Sequence, residues 1–379
     1  MRRVHLDHNA TTPMRPEVRA RLEEVLDGPA ANPSSLHASG RLARLLVDEA
    51  RERTAAALGV HEDEIVFTSG GTESNNLALL GGLPPGTALV TSAVEHSSVL
   101  EPARHLERLG APWRRVPVDA SGSVDPAAVL ERAREGSPRA GLVSLMAANN
   151  EVGTVQPLAE VGELLAALDE RPLFHSDAVQ ALGRLEVPLR SWGVDLASFS
   201  AHKLGGPQGV GVLFRRAGVE VRPLLLGGGQ EGGLRPGTED VAAIVAASHA
   251  IELAVRDRAA FSSRAAELGR GLWEGLQAAF PEARLLGPPI DASARLPGTL
   301  SVLLPHVEGK VLVTRLDLEG LEVSAGSACA SGSLEPSHVL IAMGLDEERA
   351  RAGLRLSIGR ETTWTDVAQA VEIVRRTCG

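Results

Sequence analysis

Two lysines occur in this chain, Lys203 and Lys310, and the first stands among Ser198, Ser200, His202, Gly205, Gly206 and Gly209. Arginine keeps its proton in proteins, whereas a desolvated lysine amine can lose it and attack a carbonyl. A lysine retained in a chain that otherwise uses arginine therefore predicts covalent amine chemistry at Lys203. The competing explanation is a compositional bias that left Lys203 on a solvated loop. It does not account for the reactive side chains that recur along the sequence.

Residues 68–76 read Thr-Ser-Gly-Gly-Thr-Glu-Ser-Asn-Asn, after an apolar run and before a helical pattern. Backbone N–H groups at Gly71 and the Thr72 hydroxyl then lie at a helix start, where a phosphate is favoured; an ordinary first turn is the alternative. The Lys-Ser/Thr pair of a nucleotide P-loop is missing. Gly227, Gly229 and Gly232 match a dinucleotide fingerprint literally, but Arg235 and Pro236 follow where a helix is required, which argues against nucleotide binding.

Asp177 and Gln180 follow a short apolar run. There a carboxylate can keep a ring nitrogen protonated and an amide can reach a ring hydroxyl, or the pair simply forms a strand-end turn. His96 suits stacking on a ring or moving protons near neutrality, or a satisfied loop position. Cys329 lies in a run of small residues, 324–333, that reads as a loop presenting a thiol nucleophile. Burial as a small hydrophobe is its alternative. Arg355, inside an apolar run, needs an anion, either a substrate carboxylate or a structural one. No His-Glu-x-x-His or paired Cys-x-x-Cys occurs, so the sequence predicts no metal.

The elements that must position these groups follow from periodicity. Apolar runs at 64–68, 88–92, 142–148, 173–176, 196–200 and 210–214 read as buried strands, and they alternate with helical stretches. That order predicts the α/β class: a mainly parallel sheet sandwiched by helices. The polar clusters come at the ends of the runs, where open α/β sheets bind ligands. Residues 240–280 predict one or two long helices, and strand-like runs at 298–304 and 354–357 predict a smaller α+β domain. With roughly 150 residues per domain, 379 residues suggest two. The expected division is 14–255 as the large domain and 256–379 with 1–13 as the small one.

A formal charge of −10 argues against a nucleic-acid or anionic-membrane partner, which needs clustered basic residues. The longest aliphatic run, 241–247, is far short of the ~20 residues that span a bilayer. Arg2 and Arg3 are followed by Asp7 without an apolar signal core, so the expected location is cytoplasmic. A large core makes a disulfide between Cys329 and Cys378 unnecessary.

Leu6-Asp-His-Asn-Ala-Thr-Thr-Pro13, Asn32-Pro-Ser-Ser-Leu-His37, Asn149-Asn-Glu151 and the segments above resemble the cysteine desulfurases of the class-V aminotransferase family. These are pyridoxal-phosphate enzymes of fold type I. Ser198-Phe-Ser-Ala-His-Lys203 is specific to that superfamily, and residues 325–331 with Leu334-Glu-Pro-Ser337 are similar to the group with a long catalytic-cysteine loop. The resemblance implies that Lys203 holds pyridoxal phosphate as a Schiff base, Asp177 pairs with its ring nitrogen, Gln180 contacts its ring oxygen and His96 stacks over it. Gly71, Thr72, Ser200 and His202 would hold the phosphate, joined by Thr238 of a second subunit, so a homodimer completes the site.

By the same resemblance, Asn150 and Arg355 would bind the carboxylate of L-cysteine, and His96 would assist proton transfer. Cys329 would take the sulfur as a persulfide, leave L-alanine, and pass the sulfur to an acceptor such as an iron–sulfur scaffold or a thiolation enzyme. The alternatives are a family member acting as a selenocysteine lyase or aminotransferase, and a catalytically silent binding subunit.

Overall fold

The computed structural model describes residues 3–305, 309–326 and 335–378. In chain order the strands are β1 (Val4–His5), β2 (Ile65–Thr68), β3 (Ala88–Ser92), β4 (Trp113–Val116), β5 (Ala140–Ser144) and β6 (Leu173–Asp177). They continue with β7 (Leu196–Ser200), β8 (Gly211–Arg215), β9 (Arg284–Leu286), β10 (Thr299–Leu303), β11 (Leu321–Glu322) and β12 (Gly353–Ser357). The main sheet has the order β2-β8-β7-β6-β5-β3-β4. Strands β3 to β7 pair parallel, and β8 runs antiparallel to both of its neighbours.

Every residue of β2, β3, β5 and β7 is buried. A strand covered on both faces can be apolar at successive positions, which is why these segments read as short continuous runs rather than as alternation. The covering helices begin where the sequence offers caps. Asp125 accepts from the N–H of Ala127 ahead of Pro126–Arg134, and the His96 ring accepts from the N–H of Ser98 ahead of Ser97–Arg108.

Residues 240–280 form one helix, Val241–Ala279, capped by Asp240, whose side chain accepts from the N–H of Ala243. Its first half packs Ala246, Ala250 and Leu253 against Val18. Its second half sends Ala265, Leu268, Leu272 and Leu276 into a separate core with Leu300 and Val302 of β10 and Leu354 and Leu356 of β12. In that region β12, β10 and β9 make an antiparallel sheet, and β1 pairs parallel with β11. One continuous helix thus contributes to both apolar cores.

Two elements depart from the periodicity. The run 142–148 ends as a strand at Ser144, because β3 stops at Ser92 and leaves one neighbour. Leu145 and Ala147 still donate to the carbonyls of His175 and Asp177 at 3.0 and 2.8 Å. Strand β4 gave no apolar run because Arg114 and Arg115 occupy its middle, as suits a sheet edge. Among the described residues no helix is long and apolar enough to cross a membrane.

Candidate functional site

The carboxyl ends of β5, β6 and β7 open onto a pocket of about 770 Å³, its mouth included. Asp177 and Gln180 reach it from β6, and Ser200, His202 and Lys203 from β7. The turn after β2 adds Gly71 and Thr72, the segment after β3 adds His96, the loop after β5 adds Asn150, and β12 adds Arg355. Ten expected site residues from six separate segments therefore line one hollow.

A single helical turn, Ala201–Lys203, ends β7 and aims the lysine inward. The Lys203 Nζ donates to the carbonyls of Asn9 and Ala10, each at 2.6 Å. The N-terminal strand of chain that supplies those carbonyls is itself fastened to the lysine turn. Thr12 Oγ1 donates to the His202 carbonyl at 2.7 Å and accepts from the Gly205 N–H at 2.8 Å. Burial, with the neighbouring Lys203 charge, lowers the His202 pKa to about 4, so its ring is neutral near pH 7. Gln180 Nε2 donates to the Asn9 carbonyl at 3.1 Å, while its Oε1 is buried without a partner.

In the same pocket, Asp177 is buried and held on both oxygens. One accepts from Asn75 Nδ2 at 2.7 Å and the other from the Val179 N–H at 3.0 Å. The second contact is the strand-end turn foreseen as an alternative, and it leaves the carboxylate facing the pocket. Asn75 Nδ2 also donates to Ser98 Oγ at 2.8 Å, and Ser98 Oγ lies 2.7 Å from His96 Nδ1. Asp177, Asn75, Ser98 and His96 thus form a hydrogen-bonded chain that fixes the carboxylate and the imidazole relative to each other.

Behind it, the Glu95 carboxyl is fully buried, with Ser92 Oγ at 2.5 Å and the Met146 N–H at 3.0 Å. Burial above all, aided by the Asp177 charge, raises its pKa to about 8.

The glycine pair before Thr72 makes a close approach possible. Gly70 sits at φ +155°, and a Cβ on Gly211 of β8 would lie 2.4 Å from the Gly70 carbonyl carbon. Gly70 holds the cap position of the helix Gly71–Asn76, so no side chain covers the first N–H groups. A phosphate placed there meets bare donors and the positive helix end.

Arg355 is buried in the middle of β12. Its Nη2 donates to Asp7 Oδ1 at 2.6 Å and its Nη1 to the Asn150 carbonyl at 3.2 Å, while Nε has no partner. The structural carboxylate proposed as an alternative therefore exists, and the guanidinium also lines the pocket. The other Asp7 oxygen accepts from Ser324 Oγ at 2.8 Å.

Thr238, expected to serve the site of a second subunit, does not line the pocket of its own chain. Thr238 is exposed beside Phe67, Arg235 and Ile244 in a different hollow. Cys329 lies outside the described residues. The described residues on either side of its segment are anchored close to the site: Ser324 to Asp7 as above, Ser337 Oγ to Glu151 Oε2 at 2.6 Å, and His338 Nε2 to the Glu95 carbonyl at 2.9 Å.

Asp7, Asn9, Asn75 and Ser98 were not singled out from sequence. Asn75 and Ser98 belong to polar clusters at strand ends and Asp7 and Asn9 to the Leu6–Pro13 segment, but each has a partner on another segment that no local signal names.

A lysine past the end of a parallel strand, in one pocket with a strand-end aspartate and a bare helix start, defines the class: the chain has the type I fold of pyridoxal-phosphate enzymes. It belongs to the class-V aminotransferase family, whose sequence pattern matches residues 4–370. The chain is 43% identical over 379 residues to a cysteine desulfurase IscS of Dictyoglomus turgidum, covering 99% of this chain and 94% of that one. A solved NifS-like protein matches with a TM-score of 0.91 and 37% identity, over 99% of this chain and 98% of its own. The structure of SspA in complex with cysteine matches with a TM-score of 0.79 and 33% identity, over 93% and 98%.

Proposed function

We propose that this protein is a pyridoxal-phosphate-dependent cysteine desulfurase that converts L-cysteine to L-alanine and retains the sulfur on Cys329. The observation that carries the reading is the placement of Lys203 Nζ and the Asp177 carboxylate in one pocket whose other walls include Thr72, His96 and Arg355. The residues present fit the cofactor. Gln180 Oε1 and Asn75 Oδ1 are buried acceptors without donors, and the helix start at Gly71 has uncapped N–H groups. When bound, pyridoxal phosphate supplies an electrophilic carbonyl and a conjugated ring that spreads developing charge.

The chain's own groups do the rest. Lys203 Nζ would hold the cofactor and would take the α proton of the substrate. Asp177, steadied by Asn75, keeps the ring nitrogen protonated. Gln180 contacts the ring oxygen, and Gly71, Thr72, Ser200 and His202 hold the phosphate. His96, fixed by Ser98, covers the ring and assists proton transfer. Arg355 and Asn150 bind the substrate carboxylate.

The Cys329 thiolate attacks the substrate sulfur: an S–S bond forms as the C–S bond breaks, and the departing electron pair stays with the organic fragment, which gains a proton to become alanine.

The same reading gives a homodimer in which Thr238 of a second subunit completes the phosphate site. It also gives a large domain at 14–255, a small one at 256–379 with 1–13, a cytoplasmic location, and an acceptor such as an iron–sulfur scaffold or a thiolation enzyme. The test is mass spectrometry after cysteine treatment, with a sulfur adduct expected on Cys329. Cys329→Ala should abolish sulfide release while visible absorbance persists. Full turnover by that variant points instead to a selenocysteine lyase or aminotransferase, and no chromophore after adding pyridoxal phosphate points to a silent binding subunit.

A further inference from the structure

Lys203 has a second cavity at its back. It shares no lining residue but Lys203 with the Asp177 pocket and spans about 650 Å³ with its open mouth included. His8, Arg15, Arg184, Arg360 and Lys203 contribute its polar wall, with Asp257 and, at the rim, Glu361.

The charges there do not balance. Asp257 is shared by three guanidiniums, Arg15 at 2.9 Å, Arg256 at 2.8 Å and Arg360 at 3.1 Å, and the one other carboxylate paired with them is Glu17, 3.8 Å from Arg360, among the described residues. Arg184 is buried, and among the described residues no carboxylate lies within ion-pair reach of it; its Nη1 donates to Asn9 Oδ1 at 2.6 Å. Arg15 is also buried, and its Nη1 has no partner. His8 Nδ1 is likewise buried and unpartnered. Burial chiefly, then His5 and Arg184, lowers the His8 pKa to about 3, so this ring adds no charge near neutrality. Leaving a buried guanidinium uncompensated is costly, and an anion is the group that relieves it.

Apart from Thr12, the remaining wall is apolar, including Leu204, Ala254, Phe261 and Ile358. A compact dianion such as phosphate would be desolvated against that surface. A planar carboxylate matches the guanidinium fork, and a short hydrocarbon chain matches the wall.

We propose that this rear cavity binds a small monocarboxylate, its carboxylate between Arg15 and Arg184 and its chain against Leu204, Ala254 and Phe261. The site is separate from the substrate pocket and does not depend on the activity assigned above.

The test is isothermal titration calorimetry on the full chain with butanoate and its uncharged counterpart butanamide. Butanoate should bind at least tenfold more tightly than butanamide. Arg355→Met, which removes the guanidinium of the front pocket, should retain that binding. Ala254→Leu, which fills the cavity without altering a charge, should abolish it. Arg360→Gln, at an exposed rim position, should weaken it several-fold and serves where Ala254→Leu does not fold. Absent butanoate binding, equal binding of butanamide, loss in Arg355→Met, or no effect of either cavity variant overturns the proposal.

Discussion

Replacing Arg355 by methionine separates the two partners this residue was expected to have, a substrate carboxylate and a structural one. The side chain is 1% exposed and pairs with Asp7, whose side chain is 18% exposed. Methionine preserves the apolar stem and removes the fork. A charge-assisted hydrogen bond is worth about 1.5–3 kcal/mol, so losing one contact to the substrate carboxylate should lower kcat/KM for cysteine by about 10- to 150-fold. The contact is made before and during the chemical step alike, so most of the loss should appear as a raised KM with kcat little changed.

Arg355→Lys should recover part of it, because the charge returns without the planar geometry. Steady-state kinetics of alanine formation, with the cofactor band recorded alongside, reads both parameters. If KM stays within about twofold of the parent in both variants while the cofactor is retained, Arg355 serves the ion pair with Asp7 alone and the carboxylate assignment is wrong.

Asp177→Asn should keep the visible chromophore yet lose activity by at least ~100-fold, because the ring nitrogen loses its anionic partner; near-parental turnover contradicts that role. Thr238→Val should weaken cofactor retention on dialysis, and a monomeric protein with full activity would rule out a phosphate site shared between subunits.

Glu95 gives a pH prediction. Its folded pKa of about 8 lies above the ordinary 4.5, so the protonated native form contributes stability that is complete below about pH 4.5 and lost as pH rises towards about 8. Denaturant midpoints should show Glu95→Gln gaining on the parent between pH 5 and pH 8, and parallel profiles would refute the assignment.

Lys203, Asp177 and Thr72, which line one pocket, could be picked out because each is a reactive side-chain type at the end of a recognisable run. The α/β architecture was legible too, because buried parallel strands and amphipathic helices leave different periods. Strand β4 was not, since an edge strand with Arg114 and Arg115 needs no apolar run. The single helix Val241–Ala279 could not be told from two, because periodicity does not record whether a long helix changes the core it packs against. Cys329 was singled out by the small residues around it, and its position stays outside the described residues.

Asn75 shows where local reading stops. It stood in a visible polar cluster, yet its bond to Asp177 spans 102 positions and exists because the turn after β2 meets the end of β6. Asp7 and Arg355, 348 positions apart, meet because the N-terminal segment runs alongside β12. The amino-acid order alone determined the type of each reactive group and the periodicity of most of the elements carrying them, since those are properties of neighbouring residues. Which groups face one another, which charges share a counter-ion and which cavity lies behind Lys203 were decided by the tertiary structure, because strand order and packing set distances between residues far apart along the chain.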